Sequence, residues 1–232
     1  MNVAILTDHN NYCGREYMAA LAERDLPFEV VSIGEHSPID AAEEERCAGL
    51  WRPAAFATLV EGRVHRNFPS LKDPAMLAYL LERHYDLGIQ GGTGILRGPV
   101  IDAFRLGILN FHPGDLPAYR GCSAPEWQLI EGRPVISTCH LVDKGIDTGR
   151  VYRKQALDLD YSEYHVMRAG VYPHTARFLA GVVGEIAAAG GFVHPPQIQD
   201  ESAAQYRKYA GDEAIALLKT RMQTGLPKPP SR

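Results

Sequence analysis

The segment Gly107-Ile108-Leu109-Asn110-Phe111-His112-Pro113 decides the fold. Ile108, Leu109 and Phe111 form an apolar run with the length of a buried strand rather than a helix. Pro113 has no N–H to give a ladder, so it closes the strand. Toward the N-terminus the same kind of run recurs at residues 3–7, 28–33 and 87–90. Between these runs lie stretches with helical spacing: one around Tyr17, Met18, Leu21 and Ala22, then residues 39–48, 74–84 and 99–104. Residues 52–68 mix alternating segments with Pro53 and several polar residues, and predict no single element. Short apolar strands alternating with helices predict an α/β fold, a Rossmann-like, mostly parallel sheet with helices on both faces. Ligands of such sheets sit beyond the carboxyl ends of the strands. Asp8, residues 91–94 and His112 would lie there.

Beyond Pro113 the pattern changes. Residues 122–131 have helical spacing, and 135–142 with 149–156 predict a β-hairpin. Residues 162–189 predict a long helix that stops at Gly190-Gly191, and Pro195-Pro196 breaks the chain. Residues 201–222 predict one or two further helices, and the proline-rich end from Gly225 should fray. The expected division is a catalytic domain over 1–190 and a C-terminal helical extension over 191–232.

A chain of 232 residues with 45% hydrophobic content can bury a core without disulfide or metal staples. The net charge of −4 gives no basic surplus, so a nucleic acid is not an expected partner. No apolar run approaches the roughly 20 residues of a membrane span, so no membrane partner is expected either. The N-terminus lacks the basic region of a signal peptide. A cytoplasmic location with reduced thiols follows as the expectation. Cys13, Cys47, Cys122 and Cys139 show no C-x-x-C spacing and are expected to be small buried apolar side chains. No cluster has metal-ligand spacing, so no catalytic metal is expected.

Alternation along the strand puts Asn110 and His112 on one side and Phe111 on the other. An amide donor beside a titratable ring suits acyl transfer: one stabilises an oxyanion and the other handles a proton. On residue types alone, a polar strand end that caps the next helix explains the pair as well. A second polar segment, Asp143-Lys144-Gly145-Ile146-Asp147-Thr148-Gly149, links two predicted strands. Its glycines allow a sharp turn that would aim Asp147 into a site, although the same residues also make an ordinary turn. A carboxylate paired with His112 would fix the ring and favour its protonated form.

Together, N-x-H-P-x-x-L-P-x-Y-R-G, with A-P shortly after, and H-x-V-D-x-G-I-D-T-G resemble the formyltransferase family that uses 10-formyltetrahydrofolate. The resemblance is firm over residues 86–152, weaker before that, and fades after about residue 180. It implies Asn110, His112 and Asp147 as the catalytic set and 10-formyltetrahydrofolate as co-substrate, without a metal. The implied folate pocket comprises Gly92, Gly94, Ile95, Leu96, His140, Val142 and Asp143. The chain departs from many members in carrying Gly114 and Asp115 where they have serine and leucine.

Three branches of the family fit poorly. The purine branch has a glycine-rich phosphate loop after its first strand, whereas this chain has Asp8-His9-Asn10-Asn11-Tyr12-Cys13-Gly14-Arg15. The methionyl-tRNA branch has a basic C-terminal barrel for which 232 residues leave too little chain. The hydrolase branch has a regulatory domain before its first strand. The expected acceptor is therefore a small primary amine, foremost a nucleotide-linked amino sugar. A hydroxyornithine-like amino-acid amine and glycinamide ribonucleotide are the alternatives, and a catalytically silent folate- or nucleotide-binding module is the alternative of another class. His9, Asn10, Arg15, Tyr119 and Arg120 are the expected substrate contacts. His174 is expected at the surface or in the core. The extension carries no readable chemistry and is expected to pack on the main domain or to form a homodimer contact.

Overall fold

The computed structural model describes residues 1–9, 11–35 and 41–225, with the side chains of residues 41 and 42 left aside. In chain order the elements are β1 (Val3–Asp8), α1 (Tyr12–Ala22), β2 (Glu29–Ile33), α2 (Ala41–Cys47), α3 (Phe56–Val60), β3 (His65–Phe68), α4 (Pro74–Arg83), β4 (Leu87–Gln90) and α5 (Pro99–Asp102). There follow β5 (Ile108–His112), β6 (Arg120–Gly121), α6 (Ala124–Ile130), β7 (Ile136–Leu141), β8 (Val151–Ala156) and α7 (Tyr164–Ala189). A 3₁₀ turn (Glu201–Ala203), β9 (Tyr206–Arg207) and α8 (Asp212–Thr224) complete the described chain.

Seven strands form one sheet in the order β3-β2-β1-β4-β5-β7-β8. The first five pair in parallel, while β7 joins β5, and β8 joins β7, antiparallel. Both faces are covered, which is why the strands read as unbroken apolar runs. In β1, Val3 and Ile5 enter one buried cluster with α1 and α7, and Ala4 and Leu6 enter another with α4 and α5. In β5, Leu109 and Phe111 enter the first cluster and Ile108 the second. The row begun by Ile108 continues with Asn110 and His112. The polar pair therefore stands where the second core gives out.

Residues 52–68 resolve into α3 and the edge strand β3, two elements too short to show a period. Of the helix expected over 39–48, residues 39 and 40 lie outside the described residues, and α2 spans Ala41–Cys47. Residues 201–222 differ most from expectation, since helix begins only at Asp212. Before it, β9 pairs in parallel with β6, Arg120 opposite Tyr206 and Gly121 opposite Arg207. A partner so distant in sequence leaves no local signal. Leu218 and Met222 of α8 share a buried cluster with Leu129 and Met167. Cys47 and Cys139 are buried as expected, but Cys13 is only partly buried and Cys122 is exposed.

Candidate active site

Pro113 ends β5, and the loop after it is pinned to β7. The Thr138 hydroxyl donates to the Gly114 carbonyl at 2.7 Å, and the Ser137 hydroxyl to that of His112 at 3.2 Å. The loop passes close over the imidazole. A Cβ added at Gly114 would lie 2.4 Å from His112 Nε2 and 2.7 Å from the Tyr119 carbonyl. The departure from serine at this position thus has a local reason.

His112 is buried, with Nε2 2.6 Å from the Tyr119 carbonyl oxygen. A carbonyl can only accept, so Nε2 carries a proton in either charge state and Nδ1 is the nitrogen that titrates. Nδ1 faces Asp147 Oδ2 at 3.7 Å. Burial pushes the imidazole below the ordinary histidine range, and His140 adds to this; Asp147 and the Tyr119 carbonyl oppose it without prevailing. Asp147 favours the charged form of the ring, as the sequence predicts, but desolvation is the larger effect.

Register places His140 of β7 directly opposite Asn110. His140 Nδ1 donates to the Leu141 carbonyl at 2.9 Å, and its Nε2 meets the Asn110 amide at 3.1 Å. One N–H of Asn110 is thereby committed and the second remains. His140 Nε2 also lies 3.6 Å from Asp147 Oδ1. Asp147 adopts a left-handed backbone, φ 56°, and accepts from the Gly121 N–H at 2.9 Å. Burial works to raise its carboxyl, but His112, His140 and the Gly121 N–H together hold it down at about 2.

Beside this group runs a cleft of about 350 Å³. All seven residues expected to hold folate line it, together with Asn110 and Asp147. Ile95 and Ile146 supply its apolar lips, and backbone from residues 92–94 supplies polar edges. A flat heteroaromatic ring that needs hydrogen bonds at its rim suits such a slot.

The expected substrate contacts are scattered. His9 packs against Phe56 in a tilted arrangement, ring centroids 4.6 Å apart, just after β1. Asn10 lies outside the described residues. Arg15 is buried and donates to the Ala54 and Pro53 carbonyls, each at 2.7 Å, so helix α1 turns it inward instead of toward an anion. Tyr119 is buried, with its hydroxyl on Glu131 at 2.6 Å; its contribution to the site is the main-chain carbonyl. Arg120 is only 1% exposed and is held by Gln199 and Glu201. Tyr119 and Arg120 thus serve the scaffold through their side chains, a correction to their expected role. His174, partly buried, is bonded to the Gly170 carbonyl of its own helix. Sequence reasoning missed Gln199 and the pairing of His140 with Asn110; the second could have been found by aligning the two strands.

An α/β sheet with an amide, an imidazole and a carboxylate at the head of a slot defines the class of protein. The formyl transferase family model matches residues 1–168, and the chain belongs to that family. Among curated relatives, methionyl-tRNA formyltransferase of Syntrophus aciditrophicus (strain SB) is 40% identical over 85 residues, 36% of this chain and 27% of that one. This chain therefore spans about a quarter of the length of that relative. Glycinamide ribonucleotide transformylase 1 from Symbiobacterium toebii superposes with TM-score 0.62 at 20% identity, covering 86% of this chain and 93% of that one. The N-formyltransferase from Helicobacter canadensis, solved with folinic acid and dTDP-3-aminofucose, gives 0.61 at 11% identity, covering 95% and 80%. At these identities the structural likeness is one of fold. No helix among the described residues is long and apolar enough to cross a membrane.

Proposed function

We propose that this chain transfers a formyl group from 10-formyltetrahydrofolate to a primary amine of a small molecule, foremost a nucleotide-linked amino sugar. The observation that carries the reading is the slot of about 350 Å³ with Asn110 and Asp147 at its head and His112 behind Asp147. The amine nitrogen attacks the formyl carbon, the carbon's bond to N10 breaks, the amine loses one proton and N10 gains one. Asn110 gives its uncommitted N–H to the oxygen that becomes negative in the tetrahedral intermediate. The proton of the attacking amine passes along the Asp147 carboxylate, which lines the slot, to the lone pair on Nδ1 of neutral His112. Asp147, ionised throughout the neutral range, faces the imidazolium that results and stabilises it.

The end of β1 supports an acceptor other than glycinamide ribonucleotide. Asn11 Oδ1 accepts from Cys13 N at 2.9 Å and so caps the start of α1, where a phosphate would sit. The single glycine there is used for packing: a Cβ at Gly14 would lie 2.1 Å from Thr7 Oγ1 and 2.9 Å from the Gly91 carbonyl. The Helicobacter canadensis protein was solved with an amino-sugar nucleotide, dTDP-3-aminofucose.

The test is formyl transfer to nucleotide-linked amino sugars, hydroxyornithine and glycinamide ribonucleotide, followed by the absorbance change as tetrahydrofolate forms. Turnover with a nucleotide-linked amino sugar at a kcat/KM at least tenfold above the other amines is the expected result. No turnover with any amine, together with no thermal stabilisation by a folate analogue, sinks the reading.

A further inference from the structure

Asp147 reaches His112 and His140 from an unusual backbone. A non-glycine residue at positive φ persists where its surroundings over-determine it, although aspartate tolerates the region better than most. Part of the grip comes from outside the matched family segment, which ends at residue 168. Gln197 pairs antiparallel with Val151 at the start of β8 and brings Gln199 beneath the Asp147 turn. Gln199 Nε2 donates to the Asp147 carbonyl at 2.8 Å and to the Gly149 carbonyl at 2.7 Å. Its Oε1 accepts from Arg120 Nη2 at 2.8 Å and Nε at 3.2 Å. The amide orientation is unambiguous, because a guanidinium only donates and a carbonyl only accepts. The residue after Arg120, Gly121, holds the Asp147 carboxylate through its N–H at 2.9 Å. Arg120 is itself fixed by Glu201. Main chain and side chain of Asp147 are thus gripped by one assembly, with the buried Gln199 amide at its centre.

We propose that Gln199 is a positioning residue for Asp147: its amide locks the turn between β7 and β8 so that the carboxylate meets His112. The role rests on the catalytic reading above only in its consequence for turnover. The geometric claim stands apart from it.

Gln199→Met removes the donation without adding a charge. The thioether keeps the length but has no proton to give the two carbonyl oxygens. Gln199→Leu, neutral and shorter, serves as the second variant if the first does not fold. Two readouts are taken. The titration of His112 in the free chain is followed by nitrogen NMR, with the resonance assigned through His112→Asn and Asp147→Asn as reference. The carboxylate raises the His112 midpoint, so a displaced Asp147 lowers it. The Gln199 variants should shift the midpoint in the direction seen for Asp147→Asn. In turnover, kcat should fall about tenfold while KM for both substrates changes less than about threefold, the mark of an interaction made in the transition state. A folded Gln199 variant with the wild-type His112 midpoint, beside a shifted Asp147→Asn, overturns the proposal. The titration needs no substrate, so a wild type that formylates no amine refutes the functional reading and leaves this arm decisive.

Discussion

Strands β1 and β5 both run their carboxyl ends toward the same rim of the sheet, and the chain treats the two ends in opposite ways. At the end of β1 the polar groups are consumed nearby. Asn11 caps Cys13 N, and the Thr7 hydroxyl donates to the Gly91 carbonyl at 2.9 Å. Helix α1 follows at Tyr12. At the end of β5 no helix begins until Ala124, and the intervening loop takes up only one nitrogen of His112. Asn110 and Asp147 line the slot, and His112 Nδ1 faces Asp147 from behind. A tight turn into a helix spends the polar strand end on capping, whereas a long pinned loop leaves it reactive.

The comparison breaks most clearly if the two ends respond alike to substitution. Asn110→Ala, His112→Ala and Asp147→Ala should each lower kcat by about 10²–10³, the usual loss for a donor to a developing oxyanion or its partner. Asn11→Ala should stay within about threefold, since its side chain acts on the helix. Steady-state kinetics on chains with intact circular dichroism decide this, and a near-normal rate in any of the first three removes that residue from the set.

Acid should act next in size. Proton uptake at His112 Nδ1 removes the base, so kcat/KM should rise about tenfold per pH unit and then level off at a midpoint below the ordinary histidine value of 6.5. Asp147, held at about 2, stays charged across this range and contributes no limb. Asp147→Asn should move the limb to still lower pH, because the carboxylate is what raises the His112 midpoint. A limb at or above 6.5 in the wild type contradicts the burial argument.

Stability should shift less. Burial raises the Asp147 carboxyl, but charged His112 and its other partners depress it from 3.8 to about 2, so its contribution is present above 3.8 while that ring is charged, fades above the His112 midpoint and disappears as pH falls through about 2. Just above pH 3.8, Asp147→Asn should therefore unfold more easily by on the order of 2 kcal/mol, with the difference closing toward pH 2. Denaturant titrations at several pH values measure this, and a gap independent of pH refutes it. Asn11→Ala should give the smallest change, about 1 kcal/mol for a lost helix cap, with no dependence on pH in the acid range.

Much of this contrast is legible in the sequence, for physical reasons that stop at definite residues. The strand at residues 108–112 announces itself by alternation and by Pro113, and alternation alone puts Asn110 and His112 on one side. Gly145 and Gly149 announce a turn, but the positive φ falls on Asp147 itself, and the glycines serve close approach to Thr148 and the Leu141 carbonyl. What sequence cannot show is a contact made by residue types without a chemical signature. Gln199 carries no motif, and Arg120, the residue it binds, lies 79 positions away. The same separation misdirects the reading of Arg120, whose charge suggests a ligand while its neutralising Glu201 comes late in the chain. Arg15 misleads likewise, since nothing local reveals that the Pro53 and Ala54 carbonyls meet it.

The tether between Gln199 and the Asp147 turn also sets an order in time. A ribosome releases the chain from its N-terminus, so the sheet strands β1 to β8 and both walls of the slot emerge before residue 199. Until that residue is free of the exit tunnel, the turn bearing Asp147 lacks the donor that holds it. A nascent chain arrested so that residue 190 but not residue 199 has left the exit tunnel should accordingly bind a folate analogue while its His112 imidazole titrates as though the carboxylate were absent.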